Sequence, residues 1–569
     1  MPLLQSRRAV SGTLALALIF SGCALPRETH RPHQEIALVL QITVDGLRKD
    51  LLDRSSAQFG DGGFRLLLDS GTLYANAHYQ HANTETIVGH ATLATGAVPA
   101  DHGLIGNVWY DREAGELAYN IEDAHHPLLK SRDRIEAGEQ VDPAQQLART
   151  QGRSPRALLA ETFSDRLAAR FAGQPRIFAV SGKDRGAVPM AGQTGKAFWF
   201  STNTGDFVTS RYYYDAYPSW VADWNARRQA EAWAGREWTL LGEPSTYLLI
   251  ERDDRSYETD LRGFGRVFPH RFAEAGSPLL PTQVLVSPVG DQLTADFAKA
   301  LIHAEQLGKD STPDYLAISF SGVDAVNHFF GPSSLENEDV LRQLDRTLAD
   351  LFAFVDEVVG LERTLIVLSA DHGMPEMPEA MEELGFPTGR FFPNEVVEVA
   401  NRAGEERLGI TEVVRFYFRP WLYLDEGKIE AAGLSATDVR NTIASALGEE
   451  PGIALAVPRD ALLTPQPDTA VQQIQRNFHP GRSGDVYVAQ SPYWFHMTKG
   501  PIAAMHGSPW RYDTHVPIVF VGPGIGPRVV HRLVHPRDVA PTLSALLGAT
   551  APASASGTIL SEVLEGRNR

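Results

Sequence analysis

Five short runs of nearly unbroken apolar residues punctuate this chain, at residues 36–44, 176–181, 315–320, 364–370 and 517–521. Val, Ile, Leu and Phe dominate them, and none alternates strictly between apolar and polar positions. A strand with one solvated face alternates, so these runs predict strands covered on both faces, as in a parallel sheet packed between helices. Helical spacing appears between them, at 158–171, in part of 286–306, at 337–358 and at 537–547. In 337–358 the residues Val340, Leu344, Leu348, Leu351 and Val355 recur every three or four positions and trace one helix face. Strands of this kind alternating with amphipathic helices predict an α/β fold.

Two stretches break the alternation. Residues 110–151 are polar and contain the turn-prone Asp111-Arg-Glu-Ala-Gly115. Residues 374–478 are long and mixed, with strand-like pieces such as 413–418. Both read as insertions that cap or flank a site. The closing segment 551–569 reads as a tail, flexible over its Ala- and Ser-rich part, 551–557. A chain of 569 residues would suggest roughly three or four domains by length alone. The chemistry-bearing residues described below run from 45 to 506, however, which predicts one large domain over 37–550 with insertions.

Residues 1–22 read as an export signal. Arg7 and Arg8 precede a short apolar core at 14–20, well under the ~20 residues of a membrane-spanning helix. The signal ends in Phe20-Ser-Gly-Cys23, which resembles a bacterial lipoprotein processing box, with Phe20 standing where Leu is usual. Cys23 is the only cysteine, so the mature chain has no intramolecular disulfide and no thiolate metal site. The expectation is lipidation at Cys23, a polar tether over 23–36, and an exported protein, periplasmic or anchored at the outer membrane, with plain secretion as the alternative. The net charge is −18, and removal of residues 1–22, which hold two Arg and no acid, makes it −20. That balance excludes a broad nucleic-acid surface, which needs basic stripes, but allows a small phosphorylated substrate in a locally positive site.

The candidate chemistry lies at the ends of the apolar runs. Asp45 follows the first, Asp371 and His372 follow the fourth, and Asp324 comes four residues after the third with His328 a helical turn beyond it. Thr86 stands in Thr86-Ile-Val-Gly-His90 and His506 in His506-Gly-Ser-Pro. A single Asp after a strand is more often a helix cap or turn residue, and an Asp/His pair at i, i+4 is weak alone. Recurrence at three strand ends is stronger, because ligands of open α/β sheets bind beyond the carboxyl ends of the strands. Three Asp, three His and one Thr suit two zinc ions and a nucleophile, so a metal-dependent hydrolase is the leading expectation. Of the 18 His, those at 125, 126, 270, 303, 479, 496, 531 and 535 read as surface or structural residues.

These pieces resemble the alkaline phosphatase superfamily, and within it the single-Thr phosphatases of the PafA type. The nucleotide pyrophosphatase/phosphodiesterases are a looser match. The resemblance spans about 37–548 and rests on ordered motifs: Val44-Asp-Gly-Leu-Arg48, Thr84-Glu-Thr-Ile-Val-Gly-His90, His102-Gly-Leu-Ile-Gly-Asn107, Gly182-Lys-Asp-Arg185, Gly322-Val-Asp-Ala-Val-Asn-His328, Asp371-His-Gly373, Arg482-Ser-Gly-Asp485 and His506-Gly-Ser508. Residues 539–548 look like the superfamily's closing helix.

The resemblance implies a three-layer α/β/α fold with a mostly parallel central sheet and capping insertions. It implies two Zn2+, one held by Asp45, Asp371, His372 and Thr86, the other by Asp324, His328 and His506. Thr86 would be the nucleophile, passing through a phosphothreonine, with Thr84 as a nearby competitor and a helix N-cap as the plain structural alternative. Asn107, Lys183 and Arg185 would contact the transferred phosphoryl group. Two zinc ions offset three carboxylates and an alkoxide, leaving Lys183 and Arg185 to match the two negative charges of a phosphate monoester. This favours a phosphomonoesterase over a phosphodiesterase or nucleotide pyrophosphatase on the same scaffold. A sulfatase is disfavoured, since its nucleophile derives from Cys or Ser in a Cys/Ser-x-Pro-x-Arg context. A non-catalytic binding lipoprotein would lack a ligand, and none is missing. The leaving group and the oligomeric state are not legible.

Overall fold

The computed structural model describes residues 35–130, 143–496 and 502–565. The export signal, Cys23 and nearly all of the tether lie outside the described residues. A nine-stranded sheet forms the centre, from β1 (Leu38–Val44), β2 (Thr72–His78), β3 (Ile177–Ser181), β4 (Lys196–Phe200), β5 (Phe207–Val208), β6 (Asp314–Phe320), β7 (Thr364–Ser369), β8 (His515–Val521) and β9 (Arg528–Val530), in the order β9-β2-β8-β7-β1-β6-β3-β4-β5. The run from β7 through β1, β6 and β3 to β4 is parallel. The apolar run at 517–521 lies in β8, which pairs antiparallel with both β7 and β2 and departs from the parallel expectation. Its composition could not show this, because a strand buried on both faces looks the same in either direction.

All seven residues of β1 are buried. Leu38, Leu40, Ile42 and Val44 face one apolar core and Val39 the other, the two-residue period of a strand. On the first face pack Pro288–Ala304 and Leu335–Val358, the latter capped by Ser334, whose hydroxyl accepts from Asn337 N. Helix α1 (Thr86–Thr95), Phe163–Arg170, α2 (Asp184–Ala191) and Val539–Leu546 cover the second. This is a three-layer α/β/α architecture.

Within 374–478, helices Pro393–Leu408 and Ala436–Leu447 pack on a four-stranded antiparallel sheet with a core of its own around Val396, Val439, Ile443 and Leu422. That sheet draws its strand Val486–Gln490 from beyond residue 478. Asp485, in the Arg-Ser-Gly-Asp motif, braces it by accepting from Arg112 and Leu424 N, and Arg482 donates to Ala157 O. That motif is structural. Residues 551–557 are not a loose tail: Ser556 N donates to Gly96 O and Thr558 N to Asp538, and Leu560 and Val563 are fully buried. Among the described residues, no helix is long and apolar enough to cross a membrane.

Candidate active site

The parallel strands deliver their loops to one edge of the sheet. Asp45 follows β1, Lys183 and Arg185 follow β3, helix α3 (Gly322–Phe330) with Asp324 and His328 follows β6, and Asp371 with His372 follows β7. His506 arrives by the opposite logic, because β8 is antiparallel and the segment leading into it begins at that same edge.

The loops approach closely. Gly46 has φ +74°, in the left-handed region, and a Cβ there would lie 3.0 Å from Asp324 Cβ. Gly46 N donates to Asp371 Oδ1 at 3.1 Å, joining the β1 and β7 loops. A Cβ at Gly89 would strike the Asp371 carbonyl, so this glycine lets α1 lie directly against the β7 loop.

Each of the three candidate imidazoles is oriented through Nδ1. His372 Nδ1 meets Gly373 O at 2.8 Å, His328 Nδ1 meets Ala504 O at 2.8 Å, and His506 Nδ1 meets Thr84 O at 2.7 Å. A carbonyl oxygen only accepts, so Nδ1 carries the proton and Nε2 is left to face the centre. His372 Nε2 lies 3.3 Å from both Asp45 Oδ1 and Asp371 Oδ2, and His506 Nε2 lies 3.6 Å from Asp324 Oδ1. These three carboxylate oxygens are buried and have no hydrogen-bond partner among the described residues. With neutral imidazoles, lone pairs would face lone pairs in a dry site, an arrangement that a cation satisfies and that a proton on His372 satisfies only in part. The donor set of carboxylate oxygens and imidazole nitrogens fits zinc.

Two groups have ligand atoms mutually within 4.8 Å: Asp45, Asp371 and His372, and Asp324, His372 and His506. The first is the expected trio. The second holds His372 where the sequence reading placed His328. The cause is a stack of the His372 and His506 rings, with centroids 3.5 Å apart, which brings His372 into both groups. His328 joins through Asp324, with Nε2 at 3.3 Å from Oδ2.

The electrostatics match this crowding. Burial opposes charge on His372, but the Asp371 and Asp45 carboxylates push it up to about 10. Burial and the neighbouring Asp45 raise Asp371. Asp324 is held well below the usual carboxylate range despite burial, by His328 and Lys183. Lys183 Nζ lies 2.7 Å from Asp45 Oδ2 and also pairs with Asp324 Oδ2; those two acids raise its affinity for a proton against burial.

Thr86 is the first residue of α1, and Glu85, not Thr86, holds the cap position. Its hydroxyl is buried 3.5 Å from His372 Nε2, at the helix end where the dipole is positive. Thr84 is spent on structure, donating from Oγ1 to Ser508 O and accepting from Ser508 N. Asn107 sits beside the same helix end, with Oδ1 accepting from Ile87 N at 3.3 Å and its backbone N donating to Glu85 Oε2 at 2.5 Å. Arg185 is buried on α2.

The sequence reading gave no role to several supporting groups. His90 bonds Thr86 O through Nδ1 at 2.8 Å and lies 3.3 Å from Asp371 Oδ2, linking the two residues. Arg48 donates to Met374 O and Glu376, fastening the β1 loop to the β7 loop. Arg419, from the large insertion, donates to His506 O. Two of these three lay inside quoted motifs, and that position was the available signal.

Residues 39–509 match the family model for type I phosphodiesterase / nucleotide pyrophosphatase. The alkaline phosphatase PafA of Elizabethkingia meningoseptica is 31% identical over 93% of this chain and 94% of its own length. The alkaline phosphatase PhoV of Synechococcus elongatus is 30% identical over 95% and 94%. The crystal structure of wild-type PafA superposes with a TM-score of 0.82 at 29% identity, covering 93% of this chain and 99% of that one. Murine ectonucleotide pyrophosphatase/phosphodiesterase 5 shares the fold, with a TM-score of 0.50 at 13% identity, over 90% of this chain and 96% of its own. The chain therefore belongs to the type I phosphodiesterase/nucleotide pyrophosphatase family, as an enzyme of its alkaline-phosphatase branch that hydrolyses phosphoric ester bonds.

Proposed function

We propose that this protein is a zinc-dependent phosphate monoester hydrolase that works through a phosphothreonine at Thr86. The observation that carries this is the convergence, at one sheet edge, of a buried helix-terminal hydroxyl, three buried carboxylates facing imidazole Nε2 atoms, and two buried cations. Two zinc ions, held by Asp45, Asp371 and His372 with Thr86 and by Asp324, His328 and His506, would supply the positive charge that activates a hydroxyl and stabilises a leaving oxygen. Thr86 Oγ1 attacks phosphorus, the ester P–O bond breaks, and the alcohol leaves. Water then cleaves the phosphothreonine, returning Thr86 and releasing inorganic phosphate. His90 and the α1 backbone hold the hydroxyl in place, and the amino end of α1 favours negative charge beside it. Lys183, Arg185 and Asn107 bind the phosphoryl oxygens and favour the doubly charged monoester over a singly charged diester. The relatives named alkaline phosphatase support the same substrate class.

Acid-quenching the zinc-loaded enzyme during turnover of a labelled monoester should trap phosphate on the peptide containing Thr86. Thr86→Ala should yield no such adduct while binding zinc normally; full turnover by this variant would refute the assignment. We also propose export, with Cys23 as the site of lipid attachment. Mass spectrometry of the native N-terminus should show a diacylglyceryl cysteine, lost in Cys23→Ser; an unmodified, released chain would favour plain secretion.

A further inference from the structure

Asn107 and the Lys183/Arg185 pair come from two separate segments, yet under the proposed function they address one phosphoryl group. The structure shows what locks them together. Asp184, between the two cations, is buried and saturated with donors. Its Oδ1 accepts from Tyr119 OH at 2.7 Å, Gln145 Nε2 at 2.9 Å and Arg185 N at 2.8 Å, and its Oδ2 accepts from Arg153 Nε at 2.6 Å. Four donors fill the acceptor capacity of a carboxylate, so its orientation is fixed. Two of the four, Tyr119 and Gln145, come from the polar stretch 110–151, and Arg153 lies just beyond it.

Tyr119 closes the loop back to Asn107. It ends the hairpin Val108–Asp111/Glu116–Tyr119, and Val108 pairs directly with Tyr119. Asn107 O accepts from Asn120 N at 3.2 Å and from Asn120 Nδ2 at 2.7 Å. Arg153 is anchored in turn, donating to Thr150 O and Gly152 O at 2.8 Å, with its guanidinium 4.9 Å over the Tyr119 ring. A rigid path thus runs from Asn107 through the hairpin and the Tyr119 hydroxyl to Asp184, and so to Lys183 and Arg185.

We propose that Tyr119, Arg153 and Asp184 form a positioning relay that sets the geometry of monoester recognition by holding Asn107, Lys183 and Arg185 as one unit. None of the three touches substrate; they act through the residues that do. This rests on the reading of those three residues as phosphoryl contacts. The first insertion then serves as the brace of the phosphate site as well as a cover.

Tyr119→Phe removes one donor while keeping the ring. It should lower kcat/KM for an aryl phosphate monoester by about tenfold, since small misplacements of binding groups are costly. Diester kcat/KM should change by less than about threefold, and inhibition by inorganic phosphate should weaken in step with the monoester loss. In a Lys183→Ala/Arg185→Ala background, Tyr119→Phe should cause no further monoester loss, because residues acting as a unit are not additive. Equal losses on both substrates, the same loss in the double-variant background, or no loss would overturn the relay. Gln145→Leu, which deletes another donor to Asp184, provides the same comparison if Tyr119→Phe does not fold. If Lys183→Ala/Arg185→Ala by itself treats monoester and diester alike, the phosphoryl-contact reading fails, and the relay with it. That outcome is distinct from a discriminating double variant whose losses add to those of Tyr119→Phe.

Discussion

Thr86 and Thr84 are two residues apart, chemically identical and both buried, yet only one faces the ligand cluster. The other is held at both its donor and its acceptor by Ser508. The sequence alone left both open, and the family pattern favoured Thr86. The candidate donors stood out in the sequence because carboxylates and imidazoles at strand ends are a restricted chemistry. The close approach of His372 to both donor groups did not, since it depends on how its ring stacks on His506, a matter of side-chain packing across 134 positions of chain. In the proposed function Lys183 and Arg185 carry the substrate class. Lys183→Ala with Arg185→Ala should reduce kcat/KM for monoesters by ~100-fold or more, on the scale seen for loss of charge-stabilising groups, and should hurt diesters far less. Equal reductions would remove the argument from charge.

The elements that sequence pattern marks best are those buried on both sides. β1, β6 and β7 appear within two residues of the apolar runs, because continuous burial leaves a continuous apolar signature. The four-stranded sheet was only glimpsed, at 413–418. Its strand Val414–Phe418 is mostly half-buried, and the central strand Val486–Gln490 that joins the rest of the sheet lies far along the chain. The Ala- and Ser-rich composition of 551–557 gave no sign that its backbone is tied to Gly96 through Ser556, with Thr558 just beyond it bonded to Asp538. One unread feature lies where residues 253–270 meet the amino end of Leu335–Val358. His270 Nε2 contacts Glu336 Oε1 at 3.1 Å, burial drives Glu336 well above its usual range, and burial with the neighbouring Glu336 pushes Glu258 up to about 9. A carboxyl group with a raised folded-state pKa binds its proton more tightly when folded. Its stabilising contribution is complete below about pH 4.5, the unfolded value, and declines as pH rises towards 9. Glu258→Gln should therefore match the wild type in thermal midpoint near pH 5 and exceed it near pH 9. A variant equally destabilised at both values would contradict this.

For the whole molecule, the sheet edge gathers residues from 45 to 506, so the metal centre and the fold support each other. Three carboxylates buried together cost stability unless positive charge offsets them. Lys183 supplies part of that charge, and a bound metal ion, taking the place of the proton on His372, would supply the rest. Chelation should abolish activity and lower the thermal midpoint. An ion present at 100 times its dissociation constant contributes about 2.7 kcal/mol to the folded state, and zinc should restore both properties. An unchanged midpoint with full activity would exclude the metal centre.

In the proposed function this site is built for a doubly charged phosphoryl group. The direct measurement is kcat/KM for matched aryl phosphate monoester and diester on the zinc-loaded protein. A monoester preference of at least about a hundredfold is the predicted result, the scale expected when charge-stabilising groups are engaged by one substrate and not by the other. Equal values, or a preference for the diester, would contradict it.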